Sequence, residues 1–354
     1  MGIGESIGDG HVTVVDSPRA PGARGSDFAR LARRIADAGL LDRRPGYYAA
    51  RATLVAGLFG GAWALAAVTG DSWWQLGVAA LLAVAFGQVT LLAHDLAHGQ
   101  VFRSRRSSRI AGLVAGNLLT GLSYGWWMDK HTRHHANPNH EERDPDVAPD
   151  ILVWSRRQAG SSTGVARFVG RWQAYLFFPL LTLEGLNLRV SSLRALRRPS
   201  MKDRRLEALL LIAHNVAYFG AVFALLPPGK ALAFLAVHQA CFGVYLGCAF
   251  APNHKGMPVL TADDELDFLR RQVLTSRNVS GGRLTTAALG GLNYQIEHHL
   301  FPSMPTPNLR VARPIVREHC AALGVDYAEC GLLESWRQAL SHLHAVGEPL
   351  RARR

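Results

Sequence analysis

The sequence predicts an all-α integral membrane protein: four transmembrane helices in two hairpins, interfacial helices beside them, and a cytoplasmic helical cap that holds a metal site. Three observations predict it. Four stretches are apolar for about a membrane thickness, Lys and Arg accumulate in one connection between them, and histidines gather in clusters at helical spacing. The chain of 354 residues is 48% hydrophobic, an ordinary fraction, so the uneven spread of apolar residues identifies the spans rather than their total.

In chain order, residues 1–26 are rich in Gly, Asp, Ser and Pro, hold no apolar run that could serve as a secretory signal, and read as a disordered tail. Residues 27–46 read as an amphipathic cytoplasmic segment: Phe28, Leu31 and Ile35 share one helical stripe, and Arg30, Arg33 and Arg34 lie mostly elsewhere. That pattern suits a basic helix resting on the membrane surface, and a solvent-exposed helix nearly as well. Residues 47–302 form the membrane domain, with spans at about 52–70, 73–94, 207–226 and 231–252. The first pair turns at Thr69-Gly70-Asp71-Ser72, with Trp73 and Trp74 at the interface, and the second at Pro227-Pro228-Gly229. Residues 303–354, after Pro302, Pro305 and Pro307, read as a cytoplasmic helical tail.

Charge sets the expected orientation. Residues 99–206 carry 18 Lys+Arg against 8 Asp+Glu, most of the net charge of +12, whereas the tight turns contribute only Asp71 and Lys230. Basic residues collect on the cytoplasmic side of short loops, so both termini and the long middle loop are expected there. Such a surplus also suits nucleic acid, but no nucleic-acid module occurs, and its position beside the spans suits anionic headgroups. Two further apolar stretches, Ile110–Met128 and Trp172–Leu188, contain Asn117, Ser123, Glu184 and Asn187. A single crossing by either would separate the histidine clusters across the bilayer, so both are expected to be interfacial or re-entrant. The four cysteines form no Cys-x-x-Cys pair and read as structural.

The chemistry lies in the histidines. His94 and His98 stand one helical turn apart at the end of the second span, a weak signal by itself. His131, His134 and His135 add three imidazoles that converge from one turn of helix. Gln295, His298 and His299 repeat that spacing with Gln first, and His254 leaves the fourth span on the same face. Eight histidines exceed what one tetrahedral zinc takes, and their number, without thiolates, argues for a two-metal redox centre. No Glu-x-x-His or His-Glu-x-x-His occurs, which excludes the carboxylate-bridged bundle pattern and the zincin protease pattern. Asp95, Asp144, Asp146 and Glu297 are placed to accept the second N–H of a metal-bound imidazole, although Asp144-Pro145-Asp146 reads equally well as a helix-stopping turn. One histidine pair at a helix end is more often a hydrogen-bonded pair than a ligand set; three sets on one face reverse that balance. His140 is off the helical face of its cluster, His214 and His238 read as hydrogen-bonded core residues within spans, and His11, His319, His342 and His344 read as incidental.

These strings resemble the membrane fatty acid desaturase superfamily, whose pattern is His-x-x-x-His, His-x-x-His-His and a third box of His-or-Gln-x-x-His-His. All three stand in that order, and the third, Asn293-Tyr294-Gln295-Ile296-Glu297-His298-His299-Leu300-Phe301-Pro302, is similar to that of front-end acyl desaturases. The resemblance runs from about residue 47 to 320 and implies that His94, His98, His131, His134, His135, His254, His298 and His299 bind two iron ions. Gln295 then occupies a ligand position, through a direct bond, water or a hydrogen bond. The His-Pro-Gly-Gly string of a fused cytochrome b5 domain is absent, which implies a separate electron donor such as a ferredoxin with its reductase. The expected reaction is formation of a cis double bond in an acyl chain carried by CoA, a carrier protein or a lipid, with O2 as co-substrate. An apolar tunnel walled by the spans and by Trp126, Trp127, Trp154 and Trp172 is expected to hold the chain. Hydroxylation or ketolation of a lipid or carotenoid on the same scaffold is the nearest alternative. A metal-ion transporter, with His214 and His238 as stepping stones, is the alternative of another class.

Overall fold

The computed structural model describes residues 26–352, so the expected disordered tail, apart from Ser26, and His11 lie outside the described residues. Helix α1 (Asp27–Asp37) starts where the Ser26 hydroxyl accepts from the Ala29 N–H, and α2 (Pro45–Thr69) starts on a proline, whose missing N–H costs nothing at a first helical position. α3 (Gln75–Ala97), α8 (Arg204–Leu225) and α9 (Pro228–Phe250) follow the other expected spans. With α2 these are four helices long and apolar enough to cross a membrane. α2 begins seven residues before the expected span because Pro45, not the first apolar residue, starts the helix.

The stretch Ile110–Met128 is divided between two helices. α4 (Arg105–Leu113) continues into a wide-turned segment, Val114–Thr120, which ends at Gly121 in the left-handed region (φ 72°). A side chain there would collide with His214 and Arg189, so glycine is required on both counts. α5 (Tyr124–Ala136) restarts with Ser123 accepting from the Trp126 N–H. α6 (Arg156–Ser161) precedes α7 (Gly164–Ala195), a 32-residue helix that engulfs the expected 172–188 element and contains Pro179. α7 crosses α9 at backbone contact: a Cβ on Gly185 would lie 2.5 Å from the Gln239 carbonyl oxygen, and one on Gly243 2.3 Å from that of Leu181.

After α9, a short 3-10 turn, Ala251–Asn253, leads to α10 (Phe268–Leu274), β1 (Asn278–Ser280), α11 (Arg283–Ala288), α12 (Gln295–Leu300) and α13 (Thr306–Ala322). β2 (Glu329–Gly331), α14 (Leu332–Val346) and α15 (Glu348–Ala352) complete the chain. β1 and β2 pair in parallel, Val279 opposite Cys330, and with an isolated bridge between His140 and Leu260 they depart from an all-helical plan among the described residues.

Two apolar cores are the largest. One lies among the spans, with Val78, Leu82, Phe86, Tyr218, Phe234 and Phe242. Lipid tails are as apolar as these side chains, so close packing and buried hydrogen bonds hold that core. Arg189 bonds His214 at 3.0 Å and Gln239 at 3.0 Å, and the Tyr218 hydroxyl bonds His238 at 2.8 Å. The second core joins α1, α10, α12 and α13 through Leu31, Ile35, Val273, Ile296, Leu300 and Val316. The apolar stripe of α1 is thus buried against protein and not laid on a membrane surface. Removal from water drives this core, at about 1.5–3 kcal/mol for each fully buried Leu or Ile.

Candidate metal centre

The histidines lie between the two cores. α3 brings His94 and His98 to its last turn, α5 carries His131, His134 and His135, His254 follows the 3-10 turn, and α12 supplies Gln295, His298 and His299. The nitrogens of His94, His98, His131, His135 and His298 fall within 4.8 Å of one another, and so do those of His134, His254 and His299. The groups adjoin where His135 stacks on His299 at a ring distance of 4.2 Å.

Hydrogen bonding fits this arrangement to a cation. Nε2 of His94, His298 and His299 and Nδ1 of His135 are buried without a protein partner, a costly state for a polar atom unless something else engages it. His131 Nε2 stands 2.8 Å from His98 Nε2 and 3.0 Å from His135 Nε2. Neutral imidazoles carry one N–H each, and three nitrogens this close can all be satisfied by one shared positive centre. In the second group each Nδ1 has an outside acceptor: the Asp144 carboxylate for His134 (2.9 Å), the Thr275 carbonyl for His254 (2.9 Å) and the Gln272 side-chain oxygen for His299 (2.9 Å). Those bonds place the proton on Nδ1 and leave Nε2 as the inward lone pair.

Electrostatics agrees. Burial, then neighbouring imidazoles, pushes His98, His131, His135, His298 and His299 well below the ordinary histidine value, and burial takes His254 to about 3. These rings are neutral at pH 7, the form that binds metal. His134 differs. Burial opposes its charge, but Asp144 and Asp146 outweigh it and raise its pKa.

The other acidic residues have distinct surroundings. Asp146 pairs with Lys130 at 2.8 Å and stands 3.4 Å from His134 Nδ1. Asp95 is 3.6 Å from His94 Nδ1, beyond hydrogen-bond range, and instead binds Arg51 of α2 (2.5 Å) and the Thr306 hydroxyl at the start of α13 (3.2 Å). Glu297 touches no histidine; it accepts from Tyr327 (2.7 Å) and Asn278 (2.8 Å), and burial raises its pKa to about 7 against those bonds. Gln295 donates to His254 Nε2 at 2.9 Å.

His140 contacts the backbone at Glu142, His214 and His238 belong to the span network, and His319 and His342 bond main-chain oxygens of Asp27 and Trp154. Sequence reasoning missed Gln272, Thr275, Asn139 and Arg277. Asn139, left-handed at φ 53°, donates from its side chain to the His254 carbonyl (3.0 Å) and from its backbone to Asp144 (2.8 Å). Arg277 is buried without an acid and donates to the carbonyls of Pro252 (2.7 Å) and Lys255 (2.7 Å) on either side of His254. A lone Asn and a lone Arg carry no spacing signal, so only the fold reveals them.

A cavity of about 450 Å³ runs from His94, His131, His134 and His254 between α5, α7 and α9, within the size range of small-molecule sites. Its walls include Leu122, Phe177, Leu188 and Leu246 with Trp126, Trp127 and Trp154. Trp172, the fourth expected wall residue, is instead 46% exposed beside Tyr175, because it sits on the outward face of α7.

Residues 71–331 match the sequence profile of a family described as fatty acid desaturase. Three curated relatives show the extent of similarity. The chain is 33% identical over 286 residues to an acyl-lipid (9-3)-desaturase of Physcomitrium patens, covering 77% of this chain and 53% of that protein. It is 32% identical over 335 residues to an acyl-lipid 8-desaturase of Rebecca salina (90% and 74%), and 30% identical over 316 residues to a Delta(5) fatty acid desaturase of Caenorhabditis elegans (85% and 69%). The chain thus spans about half the length of the Physcomitrium relative.

Proposed function

This chain belongs to the fatty acid desaturase family of oxidoreductases, and from that premise we propose that it inserts a cis double bond into an acyl chain at a pair of iron ions. His94, His98, His131, His135 and His298 would hold one ion. His134, His254 and His299 would hold the other, with the Gln295 amide beside them. Bound iron supplies the oxidation: with O2, two electrons from a donor and two protons, two neighbouring methylenes lose two hydrogens, leaving an alkene and two waters.

The chain's own residues do the rest. Asp144, Thr275 and Gln272 hold the Nδ1 protons of three ligands, so that Nε2 of each points inward. The leucine and tryptophan walls of the cavity hold an acyl chain against the centre and keep water away from it. We read the spans as two hairpins and, from the basic surplus of residues 99–206, place the centre on the cytoplasmic side, where a separate one-electron carrier such as a ferredoxin could reach it.

One observation carries this reading: unpartnered nitrogens in a buried imidazole cluster whose His94, His131, His134 and His254 line an apolar cavity. Fatty acids from a host expressing the protein, analysed by gas chromatography beside a His134→Ala control, test it. New double bonds with the natural chain and their loss in a normally expressed variant are expected, with two irons per purified chain. An unchanged double-bond profile with a supplied donor, or hydroxylated chains alone, overturns it.

A further inference from the structure

The turn that aims α5 is held by a carboxylate from another helix. Glu207 stands in the first turn of α8, is buried, and finds its hydrogen-bond partners within residues 117–125. Its Oε2 accepts from Asn117 Nδ2 at 3.0 Å and from the Ser123 hydroxyl at 2.5 Å, and its Oε1 accepts from the Gly125 N–H at 3.0 Å. Two of these partners pass the contact on. The Asn117 side-chain oxygen accepts from the Tyr124 N–H (3.1 Å), and the Ser123 oxygen accepts from the Trp126 N–H (3.2 Å). The N–H groups of residues 124, 125 and 126, which α5 cannot satisfy from within, thus end on Glu207 or on side chains that Glu207 orients. α5 has no acidic residue in its own first turn, so Glu207 supplies the negative charge that a helix N-terminus favours.

The surroundings are fitted to that carboxylate. A Cβ on Gly125 would lie 2.3 Å from Glu207 Oε1. The same turn is tied at two further points: His214 Nδ1 donates to the Leu118 carbonyl (2.9 Å), and the Ser123 N–H donates to the Ser192 hydroxyl of α7 (2.9 Å). A buried carboxylate is costly unless donors surround it, and here each donor belongs to the segment that leads into the helix bearing His131, His134 and His135. That helix serves both histidine groups, with His131 and His135 in one and His134 in the other. A shift at the start of α5 therefore displaces nitrogens in both groups at once.

We propose that Glu207 is a positioning residue of the centre: from α8 it fixes the start of α5, and through α5 it holds three imidazoles in register with those of α3, α12 and His254. This rests on the two-iron part of the desaturase reading and adds a residue outside the three histidine strings.

The test is anaerobic iron(II) binding by the purified full chain in detergent, read as iron retained against a graded chelator, with the melting temperature of each variant measured after iron removal. Glu207→Gln keeps the shape, but whichever way the amide lies its NH2 faces a donor. The chelator concentration that strips half the iron is expected to fall about tenfold, the low end of the loss when a ligand's outer support is removed. Glu207→Gln combined with Asn117→Asp returns an acceptor to the new amide and is expected to recover the natural affinity to within about threefold. Tyr218→Phe removes a buried hydrogen bond, to His238, from the same bundle and controls for general loss of stability. It is expected to lower the melting temperature and to leave iron affinity within about twofold. Should Glu207→Gln not fold, Gly125→Ala, which sets a methyl group against the carboxylate, carries the same expectation. Natural affinity in Glu207→Gln, a fall matched by Tyr218→Phe, or no recovery in the double variant overturns the inference and leaves the two-iron reading standing. A natural chain that holds fewer than two irons overturns the two-iron reading itself.

Discussion

At the residue scale, the centre depends on which nitrogen of each imidazole carries the proton. His134 donates from Nδ1 to Asp144, and the same carboxylate accepts from the backbone of Asn139 and Asp146, so one side chain sets both the ring and the loop beyond it. Asp144→Asn keeps the shape and removes the charge. We expect iron affinity to fall by about 10–100-fold, read by competition with a chelator, the usual loss when a ligand's outer partner is removed. An unchanged affinity would show that the carboxylate only shapes the turn. Arg277 acts at one remove. Arg277→Met strips donors from the carbonyls on both sides of His254 at a cost of about 1–3 kcal/mol for each buried acceptor left unpaired. Iron content near one per chain is expected, since His254 belongs to only one group; two irons with merely a lower melting temperature would make Arg277 purely structural.

At the element scale, the decisive feature is how α7 meets α9. Without side chains at Gly185 and Gly243 the two backbones touch, which brings Phe177, Leu181 and Leu188 to the cavity wall. Gly185→Leu must push the helices apart, because the obstructing atom is the Gln239 carbonyl and cannot rotate away. We expect a destabilisation of at least about 1–3 kcal/mol, the range for overpacked cores, visible as a lowered melting temperature in detergent. The expectation fails if the variant melts with the natural chain. The expected interfacial stretches show what an apolar pattern leaves open. Residues 110–128 and 172–188 have similar length and polarity, yet the first breaks at Gly121 and the second runs on in one helix past Pro179. Hydropathy averages over such a window, whereas one left-handed glycine wedged against His214 and Arg189 decides where the chain turns.

At the scale of the whole molecule, the histidines join parts that otherwise share little core: α3 from the span bundle, α12 from the core built by α1, α10 and α13, and α5 between them. Metal binding is then also folding energy. A ligand at one hundred times its dissociation constant stabilises a fold by about 2.7 kcal/mol, so removing iron with a chelator is expected to lower the melting temperature by several degrees and to restore it on re-addition. A melting temperature indifferent to chelation would mean that the protein alone holds these parts in place.

By itself the sequence determined the four spans, the clustered histidines with the spacing that turns each set to one helical face, and the resemblance built on them. All of these are local quantities: an apolar run is as long as a bilayer is thick, and imidazoles three or four residues apart share a face because a helix turns every 3.6 residues. The grouping of the histidines was decided only by tertiary structure. His134 and His135 are adjacent in sequence yet fall in different groups, and His254 joins His299 through bonds to Thr275 and Gln272 of one intervening segment. The fold alone likewise turned Trp172 outward, gave Asp95 to Arg51, and brought Phe177, Leu181 and Leu188 to one cavity wall. Such outcomes depend on which surfaces meet, and partners far apart along the chain leave no periodic mark in it.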